Sequence, residues 1–78
     1  MVLKDIIKTT LSLDEEISIR AGGIRRKDEI FNDAIRNIPR KYENATIRNW
    51  KITRAFATAN YDILAVEIDA KFAEKETL

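Results

Sequence analysis

The chain has neither cysteine nor histidine among its 78 residues. Without cysteine there is no disulfide, thiolate metal site, redox switch or sulfur nucleophile. Without histidine the usual general base, the usual zinc and iron ligand and any serine–histidine pair are missing too. An enzyme would be left with carboxylates, lysine, tyrosine and hydroxyls. These absences argue against an enzyme and against a metal site, and no cofactor is expected. The longest apolar run is only a few residues, and the N-terminus carries no basic segment followed by an apolar stretch. Neither a membrane span nor a secretory signal is expected, and the expected location is cytoplasmic. With one proline and two glycines, 45% hydrophobic and 35% charged residues, the composition is that of a folded chain rather than a disordered or collagen-like one. A chain of this length buries only about 60% of the surface its unfolded form exposes. The expectation is therefore one domain over residues 1–78, with residues 74–78 as a charged tail and oligomerisation adding stability.

Hydrophobic periodicity then orders the elements. Leu3, Ile6, Ile7, Thr10 and Leu11 share one helical face, predicting a helix over residues 2–12. The polar turn Asp14-Glu15-Glu16 leads to Ile17-Ser18-Ile19-Arg20-Ala21, which alternates as a short strand and stops at Gly22-Gly23. From Arg25 onward, Ile30, Phe31, Ala34, Ile35 and Ile38 form a stripe about 140° wide, predicting a core-facing helix that Pro39 ends. Residues 46–57 and 61–72 read as two strands of a hairpin turning at Thr58-Ala59-Asn60. Alternation puts Leu64, Val66, Ile68, Ala70 and Phe72 inside and Glu67, Asp69 and Lys71 outside. It also sends Trp50, Ile52 and Phe56 to the core, with Arg48 and Arg54 on the same side near the strand ends. The expected fold is α/β, a two-layer α-β-α-β-β arrangement with a three-stranded mixed sheet, a right-handed parallel crossover and both helices on one face. The open sheet face and edges point to a homodimer or higher oligomer.

The formal charge of +1 hides a division along the chain. Residues 20–54 hold ten Lys/Arg against four Asp/Glu, a net of +6, and the remainder holds four against nine, a net of −5. Such a basic middle suits a phosphate-binding surface, because Lys and Arg gain affinity by releasing counterions from a nucleic-acid backbone. The competing reading is a set of solvated charges paired across a dimer or to the acidic tail. Within the basic span, Arg20-Ala21-Gly22-Gly23-Ile24-Arg25-Arg26-Lys27 places a glycine pair between a strand and an expected helix start, a geometry that favours anions. It is not a Walker or Rossmann loop, since the further glycines and the Gly-Lys-Ser/Thr ending are missing. Arg48, Lys51 and Arg54 with Trp50 interleaved form a second basic element, in which an exposed Trp50 could stack on a base; the plainer reading puts Trp50 in the core. Tyr42 and Tyr61 read as boundary residues, Glu67 and Asp69 as solvated charges, and Asp14-Glu15-Glu16 as a turn rather than part of a calcium loop.

Ile19-Arg20-Ala21-Gly22-Gly23 resembles the Ile-Lys-Ala-Arg-Gly-like segment after the second strand of the Alba family of small nucleic-acid-binding proteins. Val2-Leu3 is similar to the opening of that family's first helix, and Ala34-Ile35-Arg36-Asn37 to a stretch late in its second. The matches are short and spread over residues 2–72. The family's first strand and following lysine pair have no counterpart here, Gly22 stands where the motif has arginine, and Ala57-Thr58-Ala59-Asn60 replaces a long basic hairpin arm. The resemblance implies a dimeric DNA- or RNA-binding protein in which Arg20 takes the place of the motif lysine. A second similarity is to dodecins, flavin binders with a tryptophan opening the strand after the helix, as Trp50 does. The leading expectation is sequence-independent binding of nucleic acid, DNA or RNA, through Arg20, Arg25, Arg26, Lys27, Lys51 and Arg54. The alternatives are a small-ligand, flavin-type binding oligomer, or a structural protein-protein interaction module of viral or plasmid origin.

Overall fold

The computed structural model describes residues 1–9, 12–54 and 60–73. Helix α1 spans Leu3–Thr9, and strand β1 spans Glu16–Ala21. A 3-10 turn at Arg26–Asp28 leads into β2, Glu29–Ala34, which runs straight into a second 3-10 turn at Ile35–Asn37. A third, at Arg40–Tyr42, precedes the hairpin of β3, Ile47–Arg54, and β4, Asp62–Ile68. A fourth closes the described chain at Ala70–Ala73. Thr10 and Leu11 at the end of the expected first helix, Phe56, most of the hairpin tip and the tail 74–78 lie outside the described residues.

The four strands form one mixed sheet in the order β2-β1-β4-β3. β1 is antiparallel to β2 and parallel to β4, and β3 is antiparallel to β4. The hairpin and the mixed sheet agree with the sequence reading, but the count and the crossover do not. The sheet has four strands rather than three. The parallel partner of β1 is β4, not the strand that follows the expected second helix.

That second helix is replaced by a strand between two 3-10 turns, and the reason lies in a bulge. Ile19 pairs with Phe31 and Arg20 with Glu29, so Ile30 has no opposite number on β1. An extra residue of this kind breaks the strict period of two. Both Ile30 and Phe31 then pack against the core, and Ile35 and Ile38 follow from the 3-10 turn. The resulting spacing of apolar residues imitates a helical stripe. Pro39 does stop the apolar run, but it precedes a new turn rather than capping a helix.

The core lies on one face of the sheet. Ile17, Ile19 and Ala21 of β1 and Val66 and Ile68 of β4 meet Leu3 of α1, Ile35, Tyr42 and Ala45 there. Each fully buried isoleucine contributes about 1.5–3 kcal/mol relative to an exposed one. β4 ends at Ile68, so Phe72 enters the core from the last 3-10 turn, with its ring edge-on to Tyr42 at 5.6 Å, and not from a strand. At the other end of the chain, Met1 to Leu3 run beside the start of β3. Val2 bridges Thr46, and the Leu3 and Ile47 amides donate to the Ala45 and Met1 carbonyls at 2.9 Å. Beyond Ile47 no further strand pairs with the outer edge of β3 among the described residues.

Candidate nucleic-acid interface

The first basic element is the loop from Gly22 to Asp28. Gly22 takes φ +89°, a left-handed conformation that side-chain-bearing residues rarely adopt, and this turns the chain sharply out of β1. A Cβ on Gly23 would collide with the Asp28 carboxylate, so a side chain there would push Asp28 from its place against the loop. Asp28 sits beneath the loop with its Nε partner Arg25 at 3.6 Å, and its amide donates to the Arg25 carbonyl at 2.9 Å. Arg25, Arg26 and Lys27 are exposed on the outside of this turn.

Arg20 belongs to the interior instead. It is only 4% exposed. Its Nε donates to Ser18 Oγ at 3.1 Å, and its terminal nitrogen donates to the Ile24 carbonyl. Ser18 Oγ in turn donates to Glu29 Oε2 at 2.5 Å. The guanidinium therefore ties β1 to the loop and, through Ser18, to β2. This takes Arg20 out of the set able to touch a ligand and makes it the residue that positions the loop carrying Arg25, Arg26 and Lys27. β1 is central in the sheet, and that is why an arginine next to a glycine pair is covered rather than solvated.

The second basic element is β3. It carries Arg48, Lys51 and Arg54 and no carboxylate, whereas the opposite edge strand, β2, carries Glu29 and Asp33 and no cation. The sheet is thus basic at one edge and acidic at the other. Trp50 pairs with Val66, Ile52 with Leu64 and Arg54 with Asp62. Directly opposed residues of an antiparallel pair point to the same face, so Trp50 and Ile52 do lie on the core side, as alternation requires. The cover, however, stops short of them. Trp50 is 59% and Ile52 60% exposed, correcting the expectation that both are core residues. Asn49, Lys51 and Thr53 occupy the other face. Arg48, at a second bulge between Ile47 and Asn49, lies 3.9 Å from Asp69.

Topology brings the two elements together at one end. Ala21 pairs with Ile68, Ile68 pairs with Ile47, and the Gly22 amide reaches the Ile68 carbonyl at 3.5 Å. The loop therefore begins two strands from the start of β3, about 10 Å across the sheet. From Arg48 to Arg54 the cations then run along the edge for about 20 Å, at about 3.3 Å per residue. At the far end the character reverses. A depression of about 310 Å³ is lined by Ile35, Ile52, Ile63 and Leu64 and rimmed by Glu15, Glu16 and Asp62. Tyr61 donates to Glu16 Oε1 there at 3.3 Å. Partial desolvation, then the charge of Glu16 and this hydrogen bond, hold the Tyr61 hydroxyl above its ordinary value of 10.0. Trp50 does not line this depression.

Arg36, also in the basic span, pairs with Asp14 on another part of the surface. Among the described residues no three acidic, histidine or cysteine side chains converge to hold a metal ion, and no helix is long and apolar enough to cross a membrane. The exposure of Trp50 and Ile52 is the feature that sequence reasoning missed. A signal was present in β3 itself, since an eight-residue strand with three cations and no acid is how proteins mark an open sheet edge. Comparison with protein-family models, curated proteins and solved structures gives no match to this chain.

Proposed function

We propose that this protein binds nucleic acid through the phosphate backbone, largely without regard to sequence. The observation that carries the reading is the polarised sheet: exposed Arg25, Arg26 and Lys27 on the Gly22 loop and Arg48, Lys51 and Arg54 along β3, against an acidic β2. Cations spread along an edge and loop suit a polyanion better than a single phosphate group, because each neutralised phosphate releases its counterion. Arg48 joins the contact set and Arg20 leaves it, acting through the loop it holds.

The test is a salt titration of fluorescence anisotropy with a labelled oligonucleotide. Five or six phosphate contacts give a slope of about −3.5 to −4.2 on a single strand, and about −4.5 to −5.4 on a duplex, for log affinity against log salt. Reversing Arg26, Lys27 and Lys51 to Glu together should abolish binding at low salt while leaving the circular dichroism unchanged. A flat salt dependence, or a triple variant that binds as the parent does, overturns the reading.

A further inference from the structure

Trp50 and Ile52 are large apolar side chains held side by side on an edge strand, outside the cover of the core and flanked by Arg48, Lys51 and Arg54. Apolar side chains set side by side among cations on an open edge form a surface that a partner with both characters can use. A second copy fits poorly. Antiparallel pairing of β3 with its own two-fold mate would set three cations against three, with no carboxylate on the strand to offset them. A polyanion with flat apolar faces fits both halves of the surface.

We infer that β3 takes single-stranded rather than duplex nucleic acid, with Trp50 as a stacking platform for an unpaired base. This rests on the nucleic-acid reading above and names its substrate. The indole is on one face of the strand and Lys51 on the other, so a backbone lying along the edge can meet the cations while a base swings over Trp50. In a duplex the bases are stacked inside and offer Trp50 no free face. Ile52, two residues along on the same face, extends the apolar floor by about 7 Å for a neighbouring base. The run from Arg48 to Arg54 is short, matching the low end of single-strand site sizes, about four nucleotides.

Trp50 is the sole tryptophan, so its fluorescence reports on this surface alone. The full chain is titrated at low salt with oligo-dT, oligo-rU and a mixed-sequence duplex, each about 16 nucleotides long. Quenching by one or both single strands and none by the duplex is the expected result, the two single strands distinguishing DNA from RNA. Trp50→Ala should weaken single-strand binding, read by anisotropy, by about 5- to 150-fold, the range of base–aromatic stacking, and leave duplex binding as it was. Trp50→Phe should recover most of the loss. If the duplex binds as tightly as the single strands and Trp50→Ala changes neither, the single-strand inference fails while phosphate binding stands. If nothing binds, both fail. A dimer in sedimentation that Trp50→Ala dissociates would show a second copy on this face and overturn the inference.

Discussion

Trp50 and Val66 face each other across the β3–β4 ladder, yet Val66 is fully buried and Trp50 is 59% exposed. One strand separates a core position from a surface one because α1 and the 3-10 turns cover β1 and β4 and stop at Ile47. Uncovered and covered positions on this face should differ in what truncation costs. Trp50→Ala should change the unfolding free energy by no more than about 0.5 kcal/mol. Ile68→Ala, in the covered part of the same face, should cost about 2–5 kcal/mol. Urea denaturation of both variants checks this, and an equal loss at the two positions would place Trp50 in the core.

That contrast marks the limit of what the residues reveal on their own. Alternation in β3 and β4 is a local property, so the face of Trp50, Ile52, Leu64 and Val66 was legible, as were β1, the hairpin and the opening of α1. How far the cover extends is set by the reach of α1 and the turns around Tyr42, and no local pattern carries it. The second helix failed for a related reason. A bulge at Ile30 and a 3-10 turn at Ile35 each shift the apolar phase by about one residue, and two such shifts look like a period of 3.6. Arg25, Arg26, Lys27, Lys51 and Arg54 were legible as surface cations because they flank turns or sit on an edge. Arg20 was not, since its burial depends on β2 and β4 lying on both sides of β1. The short likeness of residues 34–37 to a family helix meets the same obstacle, for they span the end of β2 and a 3-10 turn.

Arg20→Ala should cost about 1–3 kcal/mol, because it leaves the Ile24 carbonyl without its donor and removes the cation behind Ser18 Oγ, which keeps its bond to Glu29. Arg20→Lys should recover only part, since an ammonium lacks the fork that reaches both partners. In conditions where the variant stays folded, the salt slope for oligonucleotide binding should match the parent's, unlike that of Lys27→Glu or Lys51→Glu. Chemical denaturation and the anisotropy titration together separate a residue that positions the loop from one that touches phosphate.

Gly22→Ala tests the loop's backbone. At φ +89° an added Cβ costs about 1 kcal/mol from the backbone alone, since its nearest neighbour, Ala70 Cβ, is at an ordinary 3.6 Å. The melting temperature should fall by about 4–8 °C. Gly23→Ala should act differently, displacing the Asp28 carboxylate and with it Arg25, so that oligonucleotide affinity drops along with stability.

Tyr61 supplies a pH dependence. Its protonated form is favoured in the fold, so its contribution is fully present below pH 10.0 and is lost as the pH rises through its raised folded value. Phenolate absorbance should show Tyr61 titrating above 10.0, and Glu16→Gln should bring it back towards that value by removing the charge. A Tyr61 midpoint unmoved by Glu16→Gln would contradict the contact between them.

The most direct test of the account is amide chemical-shift mapping of the full chain with a short single-stranded oligonucleotide at low salt. Shifts should concentrate in residues 24–28 and 48–54, with β2 and the acidic rim at Glu15 and Glu16 silent. Perturbations centred on β2 or on that rim, or none at all under conditions of low ionic strength, would contradict a phosphate-binding edge at β3.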